Sequence, residues 1–201
     1  MFGGHFYHEK TKKAVALFGR LFNNLYVVRK NSSGAVISQL KVPLSYAPKA
    51  KYLERIRENP DLQDDTRVAI KLPRMSFEIT SIAYDPTRQL AKTGNFTTAA
   101  STGENTKRQK FFNPVPYSIN FQLNAYAKSQ DDALQIVEQI LPYFQPSYNL
   151  SVNLVGAINE KRDIPVILEN ITMQDDYEGD FESRRVLMYT LRFTAKTYLF
   201  G

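Results

Sequence analysis

From Tyr117 to Ala127 apolar and polar residues alternate: Tyr117, Ile119, Phe121, Leu123 and Ala125 are interleaved with Ser118, Asn120, Gln122 and Asn124. A period of two puts the sets on opposite sides of a strand, so this segment reads as a strand with one buried and one polar face. The period then changes. Ala133, Ile136, Val137, Ile140 and Leu141 recur at helical spacing, after Ser129 at an N-cap position and Asp131 and Asp132 in the first turn. Pro142 ends that helix. A fold for this chain must therefore lay an amphipathic helix on a sheet.

The other elements agree. Ala14, Val15, Leu17, Phe18, Leu21, Phe22 and Leu25 share one face of a helix predicted over 9–25. A hairpin follows, Leu25–Arg29 and Ala35–Val42, turning at 31–34 and ended by Pro43. A second helix is predicted from Pro48 to Glu58, with Tyr52, Leu53 and Ile56 as its apolar contacts. Arg74–Tyr84 alternates as a strand. Tyr148–Val155 and Ile164–Met173 flank a charged turn at 159–163, and an acidic loop, Asp175–Glu182, leads into Arg185–Phe200. In that last strand Leu187, Tyr189, Leu191, Phe193 and Ala195 form the apolar face. The expected class is α+β: a mostly antiparallel β-sheet with about three helices packed on one face. With 201 residues, 43% of them hydrophobic, the chain fits one domain over 1–201.

Residues 85–110 break the pattern. The run is rich in Thr, Ala, Asn and Gly and nearly free of bulky apolar residues. A connection this long inside a compact domain is either plain loop or functional. It reads as a long extended arm that orders on meeting a partner.

Charge is uneven along the chain. The total is +6, but residues 1–128 carry about +11, residues 129–182 about −9 and the remainder about +4. A subunit with two unlike poles can join head to tail and close into a ring. Interleaving of both signs on a solvated surface is the other reading.

Catalytic chemistry finds little to work with. There is no cysteine, hence neither a disulfide framework nor a thiol nucleophile. His5 and His8 are the only histidines and lack the further ligands of a metal site. No glycine-rich phosphate loop is present. The acidic run 175–182 does not match a calcium-loop spacing. Lys107, Arg108 and Lys110 precede Phe111 and Phe112, a mixture able to hold single-stranded nucleic acid, though the Phe pair reads better as the first core contact after the arm. The expectation is a non-enzymatic protein without cofactor or metal. No apolar run is long enough to span a bilayer and the N-terminus does not read as a signal peptide, so no membrane association is expected.

Five fragments in order carry a resemblance. MFGGHFYHEK with LFGRLFNNL, KVPLSYAPK at 41–49, LPRMSFEI at 72–79, QIVEQILPYFQP at 135–146 and SRRVLMYTLRF at 183–193 resemble the tail sheath stabiliser (tail completion) family of T-even-type phages. The resemblance implies a virion protein at the head-proximal end of a contractile tail, made in the host cytoplasm. It implies a homo-oligomeric ring, a hexamer, that terminates tube and sheath and offers a docking face to neck or connector proteins. Double-stranded DNA would pass through its lumen without sequence-specific binding. In some relatives a C-terminal extension beyond the position of Gly201 is expected. Charge and expected exposure single out Lys10, Lys12, Lys13, Asn95, Phe96, Lys107, Arg108, Lys110, Asp175, Asp176, Glu178 and Asp180 as assembly contacts. The alternative from a different class is a nucleic-acid-binding module, resting on a sequence pI of about 9.4 and the basic first two thirds.

Overall fold

The alternating segment becomes β7 (Val115–Ala127), and the last apolar strand becomes β10 (Val186–Leu199). They pair antiparallel along their length, with Leu123 opposite Leu191 and Phe121 opposite Phe193. The structure, a computed structural model, describes residue 7 and residues 9–58, 72–99, 108–155, 160–176 and 186–200. The helices are α1 (Lys10–Phe22), α2 (Lys49–Glu58) and α3 (Gln130–Ile140). The remaining strands are β1 (Tyr26–Lys30), β2 (Val36–Lys41), β3 (Leu44–Tyr46), β4 (Arg74–Tyr84), β5 (Asn95–Ala99), β6 (Arg108–Phe112), β8 (Ser147–Val155) and β9 (Glu160–Asp176). Six form one sheet in the order β3-β4-β7-β10-β9-β8, antiparallel except for β3 beside β4. The α+β class holds.

The core lies between this sheet and the helices α1 and α3. Phe18 of α1 is its hub: its ring stacks on Phe121 at 4.2 Å and meets Phe22, Phe77 and Phe193 at 5.0–5.4 Å. Gly19 permits this approach, because a β-carbon there would stand 3.0 Å from the Phe77 ring. From α3, Ala133, Ile136, Val137 and Ile140 join the same cluster. Aromatic pairs at these distances add about 0.5–1.5 kcal/mol each beyond area burial.

Several expectations need correction. Helix α1 stops at Phe22: Asn23 and Asn24 turn the chain, and Leu25 instead accepts a hydrogen bond from Val42 at 2.9 Å. Ser129 stands at the N-cap of α3 with extended backbone, but its side chain makes no capping bond. The helices do not share one face. Leu53 of α2 packs with Tyr126, Val186 and Met188, whose side chains alternate to the opposite side from Ala125 and Tyr189. The second face of β7 is therefore not simply polar and open: Asn124 and Tyr126 are fully buried there. Tyr126 shares a hydrogen bond with Ser76 at 3.1 Å, and Thr190 donates to Asn124 at 3.0 Å.

Strand β3 runs parallel to β4, and its three residues lay below the length at which a pattern shows. The charged turn at 159–163 is largely strand: β9 begins at Glu160, with Arg162 opposite Val152, while Asn159 lies outside the described residues. At the other end β9 extends through Asp175 and Asp176, which face Leu187 and Val186 rather than forming a loop.

The run 85–110 is not without secondary structure. A helical turn at Pro86–Arg88 opens it, and β5 and β6 then pair antiparallel from Asn95 opposite Phe112 to Ala99 opposite Arg108. Residues 100–107 lie outside the described residues. Two five-residue strands divided by a run of small and polar residues are too short for a hydrophobic period to reveal them.

Candidate assembly interface

The predicted contact residues fall into three places. Lys10, Lys12 and Lys13 occupy the first turn of α1. Lys12 pairs with Glu9 at 3.1 Å on the surface, and Lys13 is exposed. Lys10 lies 5.7 Å from the ring centre of Phe200. Arg162 approaches the same ring at 5.8 Å and that of Tyr198 at 5.2 Å, and Arg88 reaches Tyr198 at 5.0 Å. The end of β10 is thus wrapped by cations on aromatic faces, each contact contributing about 0.5–1 kcal/mol where exposed.

Asn95, Phe96, Arg108 and Lys110 are brought together in the β5–β6 hairpin, Phe96 opposite Phe111 and Lys110 opposite Thr97. Lys107 lies outside the described residues, as do Glu178, Asp180, His5 and His8. Asp175 and Asp176 stand at the start of β10, roughly 40 Å along the strand from Lys10 at a rise of about 3.3 Å per residue. The α1 lysines and these two backbone positions therefore sit at opposite ends of one strand. Phe112 is 61% exposed, so it is not the core contact its sequence position suggests.

The base of the hairpin is a braced corner. Asn113 Nδ2 donates to the Ala91 carbonyl at 3.0 Å, and the Asn113 amide donates to the Gly94 carbonyl at 3.0 Å. A β-carbon on Gly94 would lie 2.1 Å from Asn113 Nδ2 and 3.2 Å from the Ala91 oxygen, so any larger residue there pushes the Asn113 side chain off the Ala91 carbonyl. Asp85, at the end of β4, accepts from the Thr87 hydroxyl at 2.6 Å, the Thr87 amide at 3.1 Å and Arg88 Nε at 2.7 Å. These bonds, first that from the Thr87 hydroxyl, then that from Arg88 and last that from the Thr87 amide, lower its pKa to about 2. Arg88 also donates to the Tyr117 carbonyl at 3.2 Å, tying the corner to β7.

Two grooves open on the surface formed by the described residues. One of about 590 Å³ lies at the hairpin base between Tyr84, Leu90, Asn113 and Val115. The other, about 220 Å³, runs between the ends of α1 and α3 and is lined by Phe22, Leu25, Ile140, Tyr143, Phe144 and Tyr148. Among the described residues neither is lined by a histidine or carboxylate. Among the described residues no group of three or more His, Asp or Glu could hold a metal ion, and no helix is long and apolar enough to cross a membrane. What the surface offers is contact area: Ile37, Ile82, Tyr84, Phe112, Tyr143 and Tyr148 are large and exposed. The predicted contacts followed charge and included none of these side chains, and Phe112 was expected in the core instead. The available signal was the lack of any charged residue through 79–84 and 147–155.

Comparison with known proteins gives the surface a context. The profile of the family described as T4-like virus Myoviridae tail sheath stabiliser matches residues 5–201. The chain is also 28% identical over 203 residues to the tail completion protein gp15 of Enterobacteria phage T4, a match covering 98% of this chain and 72% of that protein.

Proposed function

This chain belongs to the tail sheath stabiliser family of T4-like myoviruses, and from that premise we propose that it acts without catalysis, as a ring-forming subunit of the virion. The ring is a hexamer at the head-proximal end of the tail. It terminates tube and sheath, holds the sheath, and presents a docking face to neck proteins, with double-stranded DNA passing through its centre. The protein is made in the host cytoplasm and acts in the particle. The family match over residues 5–201 is the observation that carries this reading.

Physical features support it. The β5–β6 hairpin is a two-stranded ribbon that pairs with no other described strand, and such ribbons are marginal in water unless something covers them. Its exposed Phe112 suits contact with a protein neighbour. We assign this hairpin, together with Lys12 and Lys13 of α1 and the acidic stretch from Asp175, to contacts within the tail.

The test is the mass of the purified protein at low and high ionic strength, alone and beside tail tubes. A hexamer in any of these conditions supports the reading, and a monomer in all of them contradicts it. Binding to DNA that weakens steeply as salt rises would favour the nucleic-acid module instead.

A further inference from the structure

Among the described residues the six-stranded sheet has two open sides. Strand β8 is terminal, and beyond Phe77 no described strand pairs with the outer side of β4. Exposed strand edges are ordinarily blunted by lysine, proline, other charges or a bulge. Residues 147–155, SYNLSVNLV, contain no charge and no proline, and neither do residues 79–84, ITSIAY. Each edge has a single irregularity, at Thr80 in β4 and between Asn153 and Val155 in β8. Ser81–Tyr84 and Ser147–Asn153 remain regular.

The two edges match face for face. On the side that carries α1 and α3, β4 shows Ile82 and Tyr84, 49% and 43% exposed, and β8 shows Tyr148 at 37%. On the other side β4 shows Ser81, and β8 shows Asn149 and Ser151, all small, polar and exposed. Laid side by side, apolar meets apolar and polar meets polar.

We propose that β8 of one copy pairs with the 81–84 segment of β4 in the next, so that the sheet continues from subunit to subunit around the ring. This rests on the ring reading above and names its lateral contact. From β4 to β8 the sheet takes four antiparallel steps, so both edges run in the same sense and the joint is parallel. The contact joins unlike surfaces, which is what a closed head-to-tail assembly requires. It also satisfies the open backbone donors and acceptors of both edges at once, and it places Tyr148 beside the neighbour's Ile82 and Tyr84.

The absence of cysteine makes the chain a clean background for crosslinking. Ser81→Cys is combined with Asn149→Cys or with Ser151→Cys, each also made singly, and the assembly is treated with a short bis-maleimide after its mass is measured. All three positions are exposed, so the fold tolerates the changes. The expected result is a ladder of covalent oligomers reaching six in at least one double variant, with none from the single variants. Dimers from Asn149→Cys or Ser151→Cys alone would show β8 meeting β8 and overturn the proposal. A ring by mass without crosslinks in either double variant would overturn this contact and leave the ring standing. No ring by mass would overturn the ring reading and this contact with it.

Discussion

Gln135 of α3 and Val28 of β1 form a two-way amide pair: the Val28 amide donates to Gln135 Oε1 at 2.9 Å, and Gln135 Nε2 donates to the Val28 carbonyl at 3.0 Å. One turn on, Gln139 repeats this with Tyr26, at 3.3 and 2.7 Å. Residues four apart on a helix are about 6 Å apart, close to the separation of residues two apart on a strand. Two glutamines thus stand in for a neighbouring strand and dock the β1–β2 hairpin on α3. Arg29 completes the joint, its Nη2 donating to the buried Asp132 at 2.7 Å.

Replacing Gln135 by leucine leaves a peptide donor and acceptor of Val28 without their partner. The expected cost is about 1–3 kcal/mol, seen as a lowered urea midpoint, together with faster hydrogen exchange at the Val28 amide. An unchanged Val28 exchange rate would contradict the docking role.

Phe18 touches four aromatic rings, so its removal opens a cavity that the sheet cannot collapse to fill. Phe18→Ala is expected to destabilise by about 3–5 kcal/mol, measured by denaturant unfolding. Phe112→Ala, at an exposed site, is expected to leave unfolding nearly unchanged while weakening incorporation into tails.

Asp85 titrates at about 2 when folded, against an ordinary value of 3.8, because hydrogen bonds from Thr87 and Arg88 favour its charged form. A depressed carboxylate stabilises the fold at pH above its ordinary value, and that contribution is lost as pH falls from about 4 towards 2. Asp85→Asn is therefore expected to flatten this part of the stability–pH profile. An NMR titration of the Asp85 side chain near its ordinary value would contradict the assignment.

Gly94→Ala forces the Asn113 side chain off the Ala91 carbonyl. The predicted result is a looser hairpin base, with faster exchange at the Asn113 amide and little change in the sheet core. In the wild-type chain, amides of β5 and β6 should exchange faster in the free subunit than in the ring. Equal protection in both states would count against the hairpin as an assembly contact.

Elements with a buried face were legible in the sequence because burial imposes a period. The helix carrying Ile136 and Ile140 and the strands carrying Leu123 and Leu191 stand where their spacing puts them. Short elements show no such period, and β5 and β6, five residues each, read as structureless although Thr97 and Thr98 suit a strand. Burial on a second face misled differently: Asn124 looks like a solvent residue but is fully buried, on the side of the sheet where Leu53 of α2 packs on Tyr126. The contact surface was least legible. Charged residues announce themselves in a sequence, whereas the exposure of Ile82 and Tyr148 goes with their places on strands at the sides of the sheet, which only the strand order reveals.

Particles built without this protein test most directly whether it works through its surfaces in the tail. Electron micrographs of such particles should show heads unjoined to tails and sheaths that fail to stay extended. Full-length, head-joined tails with stable sheaths would contradict it.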